Sequence, residues 1–281
     1  MKKTSNFFLI HNYNTVPSNL LEYCTDYEII DASDVPGVRD EMLSKGMHFK
    51  AVENTGHNIT SYFHYFAEHY DSLPEVMVLC KGNMIGRHMS KEYFDKVYDN
   101  TYFTYLYEDK VLRPQLVKTD DPNAPTQELA FLATENQYME KNTSWYVSSP
   151  NHPHWYFDDF DDLLRFVYVD PVIPKWCLFS PGACYIVRRE QIRKHTPEFY
   201  TNLCKIMDYD LDPNFPSEAH QVERMLPMIF EMSYEENSWM NDEKQFDEKL
   251  IERREYIKKK EAWNKKHLKR IRLWLGQDKG F

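Results

Sequence analysis

Polar groups gather where apolar runs stop, and those stops are where chemistry is easiest to build. His11 and Asn12 follow Phe7-Phe8-Leu9-Ile10, and Asp31 closes Tyr27-Glu28-Ile29-Ile30. Asn54 and Gly56 lie in the polar turn after Phe49-Lys50-Ala51-Val52. Lys81, Gly82 and Asn83 end Val76-Met77-Val78-Leu79-Cys80, with Arg87 and His88 close behind. If these runs are strands of one open α/β sheet, their carboxyl ends converge on a ligand. Amides, imidazoles and cations suit an anionic ligand, and a lysine can neutralise phosphate as a point charge. Any one of these ends reads more readily as an ordinary polar turn; the set points to a site.

Two carboxylates on one predicted helix could move a proton. Ser217 caps a helix whose stripe is Val222, Met225, Leu226, Ile229 and Phe230. Glu218, four residues before Val222, points with that stripe and sits at the helix N-terminus, where the dipole favours the ionised form. Glu223 stands about 100° from Val222, at the stripe's edge. A positioned carboxylate base contributes roughly 10²–10⁴-fold to a rate. Asp120-Asp121 and the group Asp158, Asp159, Asp161 and Asp162 could hold a metal. The second group reads more simply as charges favouring a helix N-terminus. His152, His154, Trp155 and Tyr156 mix rings with polar groups, a surface on which sugars bind well.

The elements that must position these groups follow from periodicity. Strands are expected at Phe7–Asn12, Tyr27–Asp31, Phe49–Val52, Val76–Cys80 and Cys184–Val187. A helix carries Phe63, Phe66, Ala67 and Tyr70 at i, i+3, i+4, i+7. Another follows the good start Thr196-Pro197-Glu198. Phe157, Phe160, Leu163, Leu164 and Val167 have helical spacing, and Pro227 predicts a kink or break in the helix after Ser217. Residues 107–155, broken by Pro114, Pro122, Pro125, Pro150 and Pro153, read as an irregular segment of the kind that forms lids. The strand–helix alternation implies an α/β domain over 1–240. Residues 241–281 form a charged helical extension with a thin apolar edge (Ile257, Leu268, Ile271, Trp274, Leu275) that packs on the body.

Composition narrows the classes. In 281 residues, 42% are hydrophobic and 15% aromatic, which excludes a disordered chain. Only 8 glycines, with no G-x-G-x-x-G or G-K-[ST], argue against dinucleotide and P-loop sites. No Ser/His/Asp elbow and no H-E-x-x-H occurs. Apolar runs reach about five residues against the roughly 20 of a membrane span, so no transmembrane segment is expected. Five cysteines without C-x-x-C, and no secretory h-region, read as thiols of a reducing, cytoplasmic compartment. The net charge of −10 is uneven: residues 251–281 carry 11 Lys+Arg and 4 Asp+Glu, a net of +7, and the remainder is −17. An acidic body does not suit a nucleic-acid partner, while the basic tail could touch a membrane surface weakly.

Two blocks resemble a family of uncharacterised glycosyltransferase-like proteins. The first is Asn54-Thr55-Gly56-His57-Asn58-Ile59-Thr60-Ser61-Tyr62-Phe63, His69 to Val76, and Gly82-Asn83. The second is Gly182 to Arg188, Pro197-Glu198-Phe199-Tyr200, and Glu223-Arg224 before Ile229-Phe230. More loosely, the chain resembles xylosyltransferases encoded by large algal viruses. The resemblance implies a GT-A-like single domain, with a mixed central sheet flanked by helices. Residues 1–105 would bind a nucleotide-sugar donor, expected to be UDP-linked and conceivably UDP-xylose. Residues 106–240 would bind an oligosaccharide or glycoprotein glycan, with contacts at Gly182 and Ala183, and supply the base for an inverting transfer. Glu223 matches the family's glutamate in the Glu-Arg pair. GT-A enzymes usually carry Asp-x-Asp where this chain has Lys81-Gly82-Asn83, so no metal is expected to be required, although a divalent ion such as manganese stays open. A glycoside hydrolase and a non-catalytic carbohydrate-binding protein are the alternatives.

Overall fold

The apolar run at Phe7 extends into β1 (Thr4–Asn12), and β2 (Cys24–Asp31), β3 (Phe49–Ala51) and β4 (Val76–Lys81) follow. These four are parallel, with β1 between β2 and β4 and β3 outside β2. β5 (Thr104–Tyr105) and β10 (Tyr185–Arg188) complete a six-stranded sheet of order β3-β2-β1-β4-β10-β5. β10 runs antiparallel to both β4 and β5, so the sheet is mixed. The computed structural model describes residues 2–55, 57–108, 115–118, 127–133, 138–142, 154–209 and 217–274.

Continuous apolar strands mean that both faces are covered. Successive side chains alternate between faces. Phe7, Leu9, Met77, Leu79, Tyr185 and Val187 join one core, and Phe8, Ile10, Val78, Cys80 and Ile186 join the other. The second core is closed by α1 (Val38–Ser44) through Met42 and by α3 (Lys91–Val97) through Phe94. The first is closed by α2 (Ile59–Glu68), α4 (Phe160–Val167), α5 (Pro197–Met207) and α6 (Ser217–Glu231). Thr196 caps α5 by accepting from the Phe199 amide at 3.2 Å, with Pro197 in the first turn. A kink or break was expected at Pro227; α6 runs continuously through it, so the helix is not broken there. Burial of Leu226, Met228, Ile229 and Phe230 on both sides of the proline holds the helix together.

The described part of residues 107–155 holds strands where an irregular segment was expected. β6 (Gln115–Lys118), β7 (Gln127–Ala133) and β8 (Tyr138–Lys141) pair antiparallel with each other and with β9 (Trp176–Phe179). These strands are short, and β8 finds its outer partner far along the chain, with Tyr138 opposite Phe179. Neither feature leaves a periodic signal in a local window.

α7 (Glu243–Trp274) is the charged helix expected at the C-terminus. It packs through Phe246, Leu250 and Ile257, and Arg253 and Lys260 pair with Asp162 and Asp158. Trp263 is 60% exposed and stacks on His267 instead of on the body. Among the described residues no helix is long and apolar enough to cross a membrane.

Candidate functional site

A cleft of about 430 Å³ opens at the carboxyl edge of the central sheet. The end of β1 contributes His11 and the end of β4 contributes Lys81, adjacent in register. The start of α2 adds His57, Asn58 and Ile59, the segment after β4 adds Gly82, Asn83 and Arg87, and α6 adds Ala219, His220 and Glu223. Tyr13 and Asn54 complete the wall. The two halves expected from sequence therefore meet in one cavity.

The cleft is cationic and its cations are uncompensated. Among the described residues the Lys81 ammonium and the Arg87 guanidinium have neither a hydrogen bond nor an ion pair. Around Lys81 stand three imidazoles held neutral. Burial, reinforced by Lys81 and His57, pushes His11 down to about 3. Burial pushes His57 down to about 4 against the Met207 carbonyl, with Lys81 adding to the effect. Burial, with Lys81 and Arg87, takes His88 to about 4. A neutral imidazole can donate one hydrogen bond and accept another. His11 uses Nδ1 on the Ser61 hydroxyl at 2.9 Å, and neither nitrogen of His57 meets a partner with good geometry.

Glu223 is fixed from two sides. One carboxylate oxygen accepts from the Gly182 amide at 2.7 Å, and the other lies 3.4 Å from Arg224 Nη1. Arg224 is in turn held by buried Glu140 on β8 at 2.9 Å, with its guanidinium over the Phe179 ring. Gly182 carries a φ of +91°, and a Cβ there would sit 2.8 Å from His88 Nε2, so only glycine fits. Its carbonyl accepts from Asn58 Nδ2 at 2.9 Å, which ties both sequence blocks to one turn. Ala183 follows with a φ of +54°, a conformation that is strained for a residue with a side chain.

Several expected site residues stand elsewhere. Asn12 and Asp31 are buried beside the cleft, not in its wall. Asn12 donates to Asp31 at 2.8 Å and to the Thr15 carbonyl, and accepts from Thr15 at 2.6 Å. Asp31 also takes Ser33 and Arg39, each at 2.7 Å. Burial raises the pKa of Asp31, but Arg39, Ser33 and Asn12 outweigh it, and the net direction is down. Gly82 closes over this network, its absent Cβ falling 2.3 Å from Asn12 Oδ1. Glu218 is fully buried and accepts from the Trp155 and Tyr156 amides at 2.8 Å each and from the Tyr209 hydroxyl at 2.7 Å. Burial drives its protonation upward against those hydrogen bonds, so the dipole does not keep it a free base. Trp155 stacks on Tyr209 and under Arg254, and Tyr156 is buried. These rings, His154 and Ala183 lie outside the cleft wall, while Gly182 and His88 support it from behind. Gly56 and His152 lie outside the described residues, as do Asp120 and Asp121. Asp159 caps α4 by accepting from the Asp162 amide at 2.9 Å, the simpler reading of that acidic group.

Sequence reading did not single out His57, Asn58, Ile59, Tyr13, Ala219 or His220 as site residues. The first three were visible as part of the first block. His220 stands three residues before Glu223, on the same helix face, and this spacing was the available signal.

The fold and site together define a mixed α/β protein with a cleft lined by Lys81 and Arg87 at the carboxyl edge of a mostly parallel sheet. A family model described as "Protein of unknown function (DUF3431)" matches residues 28–245, and the chain belongs to that family. No curated protein and no solved structure matches the chain.

Proposed function

We propose that this protein is a GT-A-like glycosyltransferase that moves a sugar from a nucleotide-sugar donor, UDP-linked, to a glycan acceptor with inversion. The observation that carries the proposal is one cleft wall holding two uncompensated cations, Lys81 and Arg87, together with the anchored carboxylate of Glu223. Lys81 and Arg87 bind the diphosphate and stabilise the charge that develops on it as it leaves. The acceptor hydroxyl attacks the anomeric carbon, the bond to the diphosphate oxygen breaks, and that oxygen keeps the electron pair. Glu223 takes the hydroxyl proton, held in aim by Gly182 and Arg224. His11, His57 and Asn58 offer neutral hydrogen-bonding groups for the sugar and base. Because Lys81-Gly82-Asn83 stands where the resemblance puts a metal-holding acidic pair, transfer should not strictly require a divalent ion. Loss of all transfer on chelation, restored by manganese, would overturn that part.

A hydrolase of the usual kind needs two carboxylates flanking the bond. Among the described lining residues Glu223 is the one carboxylate, which favours the transferase. The test is calorimetry with UDP, GDP and CMP and their sugars, followed by transfer to oligosaccharide acceptors. Binding of a nucleoside diphosphate distinguishes the proposal from both a hydrolase and a carbohydrate-binding protein. No heat and no thermal shift at millimolar ligand would remove it.

A further inference from the structure

We infer that a second site, for a tetrahedral oxyanion such as a phosphate or sulfate group, lies at the opposite edge of the central sheet. Arg188, Arg189 and Arg193 line a concavity there of about 440 Å³, with Glu75 and Glu190. Arg188 ends β10 opposite Val76, the first residue of β4. The cleft with Lys81 lies at the other end of β4, about 17 Å away at the rise of a strand. The two sites share no lining residue, and this inference does not rest on the transferase reading.

What makes the concavity a site is how its cations are held. Arg193 is anchored on the carbonyls of Tyr70 at 2.8 Å and Asp71 at 3.0 Å. Carbonyls fix a guanidinium in place but leave its charge unneutralised. Next to it, Lys194 is held in the same way by the Phe230 carbonyl at 3.0 Å. Arg188 alone of the three arginines pairs with a carboxylate, Glu190 at 3.1 Å, and both are largely exposed. Arg189 is the telling residue. Its amide bonds the Glu75 carbonyl at 2.9 Å, while its side-chain Nε is shut off from solvent with no partner among the described residues. A buried donor on a charged group is costly to leave unmade. Among the described residues the Arg189 charge has no carboxylate partner, and planar guanidinium forks match phosphate and sulfate oxygens in pairs. With three arginines against two glutamates the concavity keeps a net positive charge.

The test uses the full chain carrying Lys81→Gln and Arg87→Gln, which removes both of the cleft's own cations. Sulfate is titrated at constant ionic strength, with the amide resonances of residues 188–193 followed by NMR. The expected result is saturable shifts in the low millimolar range, weakened at least fivefold by Arg189→Gln. Arg188→Gln, at a side chain 41% exposed and so removable without unfolding, should weaken binding at least twofold. Inorganic phosphate should saturate the same resonances. A sulfated disaccharide that binds more tightly than free sulfate assigns the group to a glycan; equal binding assigns it to the free anion, and either supports the site. In sulfate-free buffer Arg189→Met should melt at or above the parent, because the orphaned donor is gone. Absence of saturable shifts, or identical curves for the parent and both arginine variants, overturns the inference.

Discussion

Two polar clusters adjoin at the carboxyl edge of the central sheet, built from the same kinds of residue and serving opposite ends. In the first, Asn12, Thr15, Asp31, Ser33 and Arg39 bond one another. In the second, Lys81, Arg87 and His57 face a cavity and their polar groups go unmatched among the described residues. The same division runs along α6. Glu218 accepts three hydrogen bonds in full burial, whereas Glu223 is 18% exposed and reaches the cleft. A closed network stabilises the fold, because buried polar groups must be paired. An open one is available to a ligand. Residue type and strand position do not tell these apart; the partners do.

That contrast breaks most sharply on the two glutamates. Glu223→Gln should lower transfer by at least a hundredfold, roughly the contribution of a general base, and leave nucleotide affinity within about twofold. Glu218→Gln should do the reverse, keeping turnover per folded molecule and losing about 1–3 kcal/mol of stability as its donors lose a charged acceptor. Initial rates, calorimetry and urea melts on both variants decide it. Equal loss of transfer in both would dissolve the distinction.

Asp31→Asn probes the closed network. It should cost about 1–3 kcal/mol in a denaturant melt, since a buried carboxylate with Arg39 and two neutral partners is removed, and leave nucleoside diphosphate binding intact. Lys81→Gln probes the open cluster. It should weaken that binding about tenfold, as a charge-assisted contact is lost, with no loss of stability. The reverse pattern in calorimetry and melting would mean that the two clusters had been assigned the wrong way round.

A finer test comes from acid. The folded values of His11 and His57, about 3 and about 4, lie below the ordinary 6.5. Their protonation therefore favours the unfolded chain. The stability they contribute when neutral is fully present above pH 6.5 and is lost as pH falls towards 4, at up to about 1.4 kcal/mol per pH unit for each histidine. Lys81 is one cause of the depression at both, so Lys81→Gln should flatten the stability curve between pH 6.5 and 4. Superimposable curves would show that burial alone sets these histidines. The smallest effect is expected at the C-terminus. Removing residues 264–281, a cut placed just past the 60% exposed Trp263, should leave both transfer and melting temperature unchanged. Truncation after residue 250 should destabilise, because Arg253, Arg254, Ile257 and Lys260 go with it.

Much of the frame was legible. The unbroken run Val76–Cys80 announced a strand covered on both faces, and it is the strand between β1 and β10. Thr196-Pro197-Glu198 announced a helix start and is one. His11, Lys81, Asn83, Arg87 and Glu223, expected together from strand ends and a helix edge, line one cleft, because strand ends and helix edges have defined positions. The second sheet was not legible. Gln127–Ala133 is rich in good helix formers, and its strand identity comes from antiparallel neighbours on both sides. Trp155 and Tyr156 looked like a sugar platform and are instead packed against Tyr209 and α7.

What the sequence by itself determined is the set of elements and the edge of the sheet at which they deliver polar groups. Alternation, helical spacing and capping are local, and each element signals itself within its own residues. Which groups stay open is a property of pairs far apart in the chain. Glu218 is closed by amides more than sixty residues before it, and Gly182 joins Asn58 to Glu223 across both blocks. Only the tertiary structure decided those pairings, because a hydrogen bond depends on distance in space and that distance is set by packing.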